Sequence, residues 1–384
     1  MIRELVLSIY LFILRMFFNL FTLFPQKHKT TFVASFGINI IYTINELEKQ
    51  TDHQVVILKT PQCKNTYEDG PRRTILRFGS LNIISWVRSI YHLATSKLVF
   101  VDNYYGFLSV TKFRPNTQCI QLWHAAGAIK QFGLKDRSID DRHPRACERF
   151  KNVYDRFDYV IAGSEKMAGI FGMAFALSEK QLLRTGIPRT DFFFDTMAIN
   201  KAEQSLLSKF PIINEKKVIL YAPTYRANDL NSSELKLDIE KMYNALNDEY
   251  VLFLSLHPKV KAELQNDYPY FVFDVSSYLH LNHLLVITDI LITDYSSIPF
   301  EFSLLNKPMV FFAYDLEAYA HEKGFWENYE ELVPGHVVKH TDSLIDVIKA
   351  GEFDTERVRA FADEWNQYSR GESSERLIKA LYNQ

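Results

Sequence analysis

The sequence predicts an α/β protein of two doubly wound, Rossmann-like domains preceded by an amphipathic apolar helix. Three observations carry this expectation. The chain has 384 residues, beyond the size at which one hydrophobic core keeps growing, so two domains of roughly 150 to 200 residues are expected. Short β-branched or aromatic runs alternate with helical stretches after Pro25, the pattern of parallel sheets with crossover helices. The reactive side chains cluster at the ends of those runs, where open parallel sheets place their ligand crevices.

The first element, Ile2 to Phe24, is almost entirely apolar. At helical spacing Glu4, Ser8, Arg15, Asn19 and Thr22 fall within a sector of roughly 60°, leaving one narrow polar stripe on a broad apolar surface. Arg15 makes a simple span expensive, and no small-residue cleavage site follows Pro25. A buried core helix is the bland alternative. The preferred reading is an in-plane membrane helix, with Lys27 and Lys29 meeting anionic headgroups.

Strands are expected over Thr30–Phe36, Val55–Lys59, Leu98–Asp102, Gln118–Trp123 and Asp158–Ala162, with a helix over Leu81–Thr95 and Ser164 as a helix cap. The domain boundary falls after Asp191. A helix over Ala198–Phe210, stopped by Pro211, opens a second series with strands over Lys217–Tyr221, Tyr250–Leu256, Tyr270–Phe273, Ile290–Thr293 and Pro308–Phe312. Helices are expected over Leu235–Asn247, Pro299–Leu305 and Thr355–Leu381. The resulting division is a helix at 1–26, a first domain at 27–195 and a second at 196–384, the final helix being free to pack back on the first domain.

With 47% apolar residues, 23% charged residues and a net charge of -2, the composition describes a packed globular chain and gives no reason to expect a nucleic-acid partner. Cys63, Cys119 and Cys147 are widely spaced and form no CxxC pair, so neither a disulfide framework nor a thiolate zinc site is indicated. There is no GxxxxGK[ST] loop, GxGxxG turn or HExxH helix. Asp140, Asp141, His143 and Glu148 are interleaved with Arg142 and Arg145, which argues against a metal site.

The chemistry is expected in four strand-end motifs. In Gln121–Lys130, His124 directly follows an apolar strand and can titrate near neutrality, so it is a candidate general base, with Lys130 a positive charge for a phosphate. A structural histidine bonded to a loop carbonyl is the alternative. In Tyr221–Arg226, Thr224 and Arg226 resemble a phosphate-facing strand end, unless Pro223 marks a plain surface turn. In Leu256–Lys259, Pro258 biases the backbone of His257 away from helical geometry. After Asp294, Ser296 and Ser297 stand at a strand-to-helix junction, where hydroxyls and free amides can hold a phosphate or where one serine simply caps. Glu301 either reaches ribose hydroxyls or points to solvent. The acidic and aromatic run Tyr314–Phe325 is a ligand-flanking loop or an ordinary charged one.

Taken in order, WHAAGAIK at 123–130, YAPTYR at 221–226, LHPK at 256–259, ITDYSS at 292–297 and KPMVFFAYDLEAY at 307–319 resemble the CDP-glycerol glycerophosphotransferases of teichoic acid synthesis. The resemblance extends over about Thr30 to Ile348. It implies a glycosyltransferase-B-like fold, a CDP-glycerol donor used as a substrate, no cofactor and no metal in the reaction centre. It implies an acceptor-side first domain with His124 as base, and a donor-binding second domain in which His257, Ser296, Ser297, Thr224 and Arg226 contact the donor phosphates. Lys130, Asp294 and Glu301 are further nucleotide or acceptor contacts.

Polymerising relatives commonly carry a WHG-type sequence followed by a proline. Here Ala125 and Ala126 precede Gly127, and Ile129 precedes Lys130, a departure that favours the primase-like branch and leaves the acceptor open. The expected reaction passes one glycerol phosphate to a hydroxyl of N-acetylmannosamine on an undecaprenyl-diphosphate-linked disaccharide, releasing CMP at the cytoplasmic face of the membrane. The alternatives are a glycerol- or ribitol-phosphate polymerase, a sugar-transferring enzyme of the same architecture, and a nucleotide-responsive membrane scaffold. Homo-oligomerisation stays open.

Overall fold

The computed structural model describes residues 2–79, 82–139, 141–226, 235–256 and 267–382. His257, Pro258, Lys259, Asp140 and the expected helix start at Leu81 lie outside the described residues. The chain divides into two compact units: residues 1–124, 132–191 and 368–384 form the first, and residues 125–131 and 192–367 the second. Each is built on one wholly parallel sheet.

In unit 1 the strands are β1 (Lys29–Ala34), β2 (Gln54–Lys59), β3 (Arg73–Arg77), β4 (Leu98–Val101), β5 (Gln118–Gln121), β6 (Tyr159–Ile161) and β7 (Leu182–Leu183), in the order β3-β2-β1-β4-β5-β6-β7. In unit 2 they are β8 (Lys217–Ala222), β9 (Tyr250–Leu254), β10 (Val272–Asp274), β11 (Ile290–Thr293), β12 (Met309–Phe312) and β13 (His336–Val338), in the order β10-β9-β8-β11-β12-β13. Both orders turn back on either side of their first strand, the doubly wound arrangement with its switch point beside that strand. The central strands are unbroken apolar runs because helices cover both faces. Every residue of β1, β4, β9, β11 and β12 is buried.

Helix α1 (Ile2–Phe21) belongs to unit 1 and is neither fully buried nor free. Leu11, Leu14 and Phe18 are buried, and the rings of Tyr10, Phe17 and Phe21 meet Trp86 and Tyr91 of α3 (Ile83–Thr95). Glu4 pairs with Arg149 at 3.2 Å. The opposite sector exposes Leu5, Val6, Ile9, Phe12, Met16 and Leu20, with Phe12 63% accessible. The helix thus has a protein-facing side, a polar stripe and a broad bare apolar side, the surface division of a helix lying in a membrane interface. By length and composition the stretch Glu4–Phe21 also satisfies the requirement for a span, but three buried side chains and an ion pair tie it to the unit beneath. Glutamate at both Phe12 and Met16 is expected to cut partition into anionic vesicles at least tenfold while leaving the unfolding temperature unchanged, as vesicle co-sedimentation and thermal melting would show.

The single C-terminal helix expected over Thr355–Leu381 is two helices, Thr355–Trp365 and Ser373–Tyr382. The break has local causes. Asn366 turns its amide onto the carbonyl of Phe300 at 2.6 Å, and Gly371 takes a left-handed φ of 92°. The second of these helices completes unit 1: Ser373 and Ser374 donate their amides to Asp191, and Tyr382 bonds Thr30 at 2.8 Å. The expected strand over Thr30–Phe36 ends earlier, at Ala34, because Ser35, Phe36 and Gly37 turn to serve Asp102.

Candidate active site

His124 stands just beyond the carboxyl end of β5, and its position follows from a kink. Trp123 takes φ 53°, a left-handed conformation that costs a bulky L-residue energy and persists only where its surroundings impose it. Two buried amides do so. Gln121 accepts the Trp123 N–H at 2.8 Å while its own amide donates to the carbonyl of Asn103 at 3.0 Å. Asn39, in α2 (Ile38–Gln50), donates to the carbonyls of Leu122 and Trp123 at 3.2 and 3.0 Å.

The imidazole itself is held from two sides. Its Nδ1 lies 3.3 Å from the backbone carbonyl of Asp102. A carbonyl can only accept, so Nδ1 is the protonated nitrogen at this contact, and in the neutral ring the basic lone pair is then at Nε2. One face stacks on Phe36, with ring centroids 4.0 Å apart and planes 14° apart. The loop-carbonyl bond of the structural alternative is thus present, and it also fixes the orientation of the imidazole.

Asp102 secures both sides of this clamp. Its buried carboxylate accepts the N–H groups of Ser35, Phe36 and Gly37 at 2.9, 2.9 and 2.6 Å and the Tyr105 hydroxyl at 2.6 Å. Burial pushes its pKa above the ordinary carboxylate value, against the opposing pull of those donors. Gly37 takes φ 83°, and a Cβ there would lie 2.7 Å from both the Asn65 amide and the Tyr67 hydroxyl.

In unit 2 the carboxyl ends of three neighbouring strands converge on one guanidinium. Arg226, following β8, sends Nε and Nη2 in a fork to Asp315, beyond β12, at 2.8 and 2.9 Å. Its Nη1 bonds Asp294, beyond β11, and the carbonyl of Thr224, both at 2.7 Å. Asp294 is buried and also accepts the amides of Thr224 and Tyr295 at 2.7 and 2.6 Å. Tyr295, Tyr314 and Tyr319 ring the guanidinium at 4.7 to 5.4 Å from their centroids. Burial pushes the Asp315 carboxyl up, but Arg226 and the Tyr295 hydroxyl outweigh that and hold it below the usual carboxylate range.

Arg226 makes four hydrogen bonds within unit 2 and so ties together the ends of β8, β11 and β12. Glu301 does not point to solvent; it is 1% exposed. Ser296 accepts the Ile298 N–H at 3.1 Å, whereas Ser297 begins the short helix Ile298–Phe302 without a side-chain cap bond. The Thr224 hydroxyl is buried and has no hydrogen-bond partner among the described residues.

The segment after His124 is part of unit 2. Lys130 pairs across an antiparallel bridge with Phe325, Trp326 donates to the carbonyl of Ile129, and Gln131 donates to that of Gly324. The Lys130 ammonium lies 3.4 Å from the Tyr319 hydroxyl; burial lowers its pKa, with Asp294 opposing. Gly127 lies against the buried ring of Phe300, where a Cβ would come within 2.3 Å. Gly127→Ala is expected to cost about 1 to 3 kcal/mol of stability, measured by thermal melting.

The site residues assigned by motif thus fall into two groups, His124 in unit 1 and Thr224, Arg226, Asp294 and Lys130 around one network in unit 2. Asn39, Gln121, Phe36, Asp102 and Asp315 join them on structural grounds. Of these Gln121 opens the first strand-end motif and Asp315 belongs to the acidic and aromatic run after β12; the others had no sequence signal.

Residues 39–383 match a family described as CDP-Glycerol:Poly(glycerophosphate) glycerophosphotransferase. The chain is 37% identical over 384 residues, covering 100% of itself and 99% of the relative, to the teichoic acid glycerol-phosphate primase of Bacillus subtilis (strain 168). It is 36% identical over 296 residues to a teichoic acid poly(ribitol-phosphate) polymerase of Bacillus spizizenii, covering 76% of this chain and 47% of that one. The fold is similar to that of the wall teichoic acid polymerase TagF, with a TM-score of 0.80 at 26% identity over 98% of this chain and 95% of that chain.

Proposed function

Because the chain belongs to the CDP-glycerol:poly(glycerophosphate) glycerophosphotransferase family, and is therefore an enzyme acting on substituted phosphate groups, we propose that it is the primase of a teichoic acid linkage unit. In this reading one sn-glycerol 3-phosphate passes from CDP-glycerol to an N-acetylmannosamine hydroxyl of an undecaprenyl-diphosphate-linked disaccharide, and CMP leaves. The observation that carries it is coextension: the match to the primase of B. subtilis runs over 100% of this chain and 99% of that one, whereas the ribitol-phosphate polymerase is matched over 47% of its length.

The chemistry is in-line displacement at the glycerol-bearing phosphorus. The sugar hydroxyl gives its proton to Nε2 of His124 as its oxygen bonds phosphorus, and the bond from phosphorus to the CMP oxygen breaks. His257, Ser296, Ser297 and the buried hydroxyl of Thr224 are assigned to the donor phosphates, where hydrogen-bond donors stabilise the charge that develops on the leaving group. Arg226 is assigned to the same donor phosphates, its guanidinium held in place by Asp294 and Asp315. The bare apolar side of α1 lies in the cytoplasmic leaflet, the side on which a nucleotide-activated donor is available.

A polymerase is the second reading, favoured by the TM-score of 0.80 to TagF. Mass analysis of the lipid-linked disaccharide after incubation with CDP-glycerol and purified protein separates the two. Gain of one glycerol phosphate is the expected result. Gain of several indicates a polymerase, and gain from CDP-ribitol alone redirects the donor assignment.

A further inference from the structure

Phe36 stands beside the candidate base. It lies three residues before the stretch matched by the family, which begins at residue 39, and the reaction above uses only the face of its ring that meets His124. One face of that ring is covered by His124 at 4.0 Å, yet the side chain remains 46% exposed. Its backbone is fixed at both ends. The N–H goes to the Asp102 carboxylate at 2.9 Å, and the carbonyl takes the Asn65 amide. Gly37, next along, is locked at φ 83° between Asn65 and Tyr67.

An apolar ring held this firmly, with one face on the imidazole and much of its surface still in water, is a prepared contact surface. Rigid aromatic groups bind at low entropic cost because little freedom is left to lose. We propose that Phe36 is the stacking platform for the non-reacting sugar of the acceptor disaccharide, an inference that rests on the transferase reading of the preceding subsection.

Distance decides which sugar. A pyranose on the open face of Phe36 would lie about 8 Å from the imidazole centroid, the ring separation plus one further van der Waals stacking distance. That is too far for the hydroxyl whose proton His124 takes, which must come within about 3 Å of Nε2. It suits the adjacent ring of a disaccharide. A pyranose presents C–H bonds on its faces and hydroxyls at its rim, so a face can cover Phe36 while the rim stays hydrated. Binding the non-reacting sugar in this way anchors its neighbour at the base, the use of remote binding energy to orient a reacting group.

The test varies the undecaprenyl-diphosphate-linked disaccharide at saturating CDP-glycerol for the full-length protein, Phe36→Ala and Phe36→Tyr. Phe36→Ala is expected to raise the acceptor KM about tenfold or more by losing the buried contact, with the KM for CDP-glycerol unchanged. Phe36→Tyr, which keeps the ring, is expected to restore the acceptor KM to within about twofold of the original. A fall in kcat with an unchanged acceptor KM would overturn the proposal and leave Phe36 as a support for His124 alone. Acceptor affinity is also measured without donor: about tenfold weaker binding by Phe36→Ala supports the platform, and equal binding defeats it. Failure of the transferase reading looks different, as no glycerol phosphate gained by the unaltered protein, and the donor-free comparison still decides the role of Phe36.

Discussion

His124→Ala is expected to lower kcat by about 10² to 10⁴-fold, the range for loss of a positioned general base, while CDP-glycerol binding changes by less than about twofold. The expectation follows from the way the ring is held. The Asp102 carbonyl holds Nδ1 and Phe36 holds the plane of the ring, so the side chain is oriented by groups of unit 1 alone. Rapid-quench measurement of CMP release, paired with titration calorimetry of CDP-glycerol, checks both halves. Turnover within about fivefold of the unaltered protein would remove His124 as the base. Asn39→Ala offers a graded version, because it relaxes the Trp123 kink without touching the imidazole. It should lower kcat less than His124→Ala and leave the CDP-glycerol affinity unaltered.

The second large effect is expected at Arg226. Arg226→Ala leaves Asp294 buried and Asp315 half-buried without their common counter-charge, a loss of about 3 to 5 kcal/mol for breaking a buried ion pair from one side. Arg226→Lys should recover little, because an ammonium cannot serve two carboxylates and the Thr224 carbonyl in one plane. The effect depends on pH with a definite sign. Arg226 contributes to holding the folded-state pKa of Asp315 below its ordinary value, so the stabilisation is present above the usual carboxylate range and fades as pH falls through it. Urea unfolding at neutral and acid pH should therefore show the gap between the unaltered protein and Arg226→Ala closing in acid. A gap of constant size would mean that the loss is one of packing against Tyr295, Tyr314 and Tyr319 instead.

The strand ends were legible in the sequence because parallel strands are continuous apolar runs and the first polar residue after each run marks its exit. His124 and Asp294 are found that way, and Arg226 closes the polar stretch that begins at Thr224 after β8. What surrounds them is not legible, because it depends on which strands are neighbours. Asp102 reaches the turn at Ser35–Gly37 only because β4 lies beside β1, and Asp294 and Asp315 meet Arg226 only because β11 stands between β8 and β12. The left-handed Trp123 has no local signature, since neither glycine nor asparagine occupies the position. The break at 366–372 escaped for a related reason. Its helical stretches continue on both sides, and the amide of Asn366 finds its acceptor in Phe300, which is distant in sequence.

The allocation of residues 125–131 to unit 2, and of 368–384 to unit 1, bears on how the protein is made. The chain passes from one unit to the other four times, so neither corresponds to an uninterrupted length of polypeptide. On a ribosome releasing residues in order, the helix Ser373–Tyr382 of the first unit is made only after residues 192–367 of the second. Only then can Tyr382 reach Thr30 and Ser373 reach Asp191. The nascent first unit thus waits, with the surface destined for that helix uncovered, while residues 192–367 are translated.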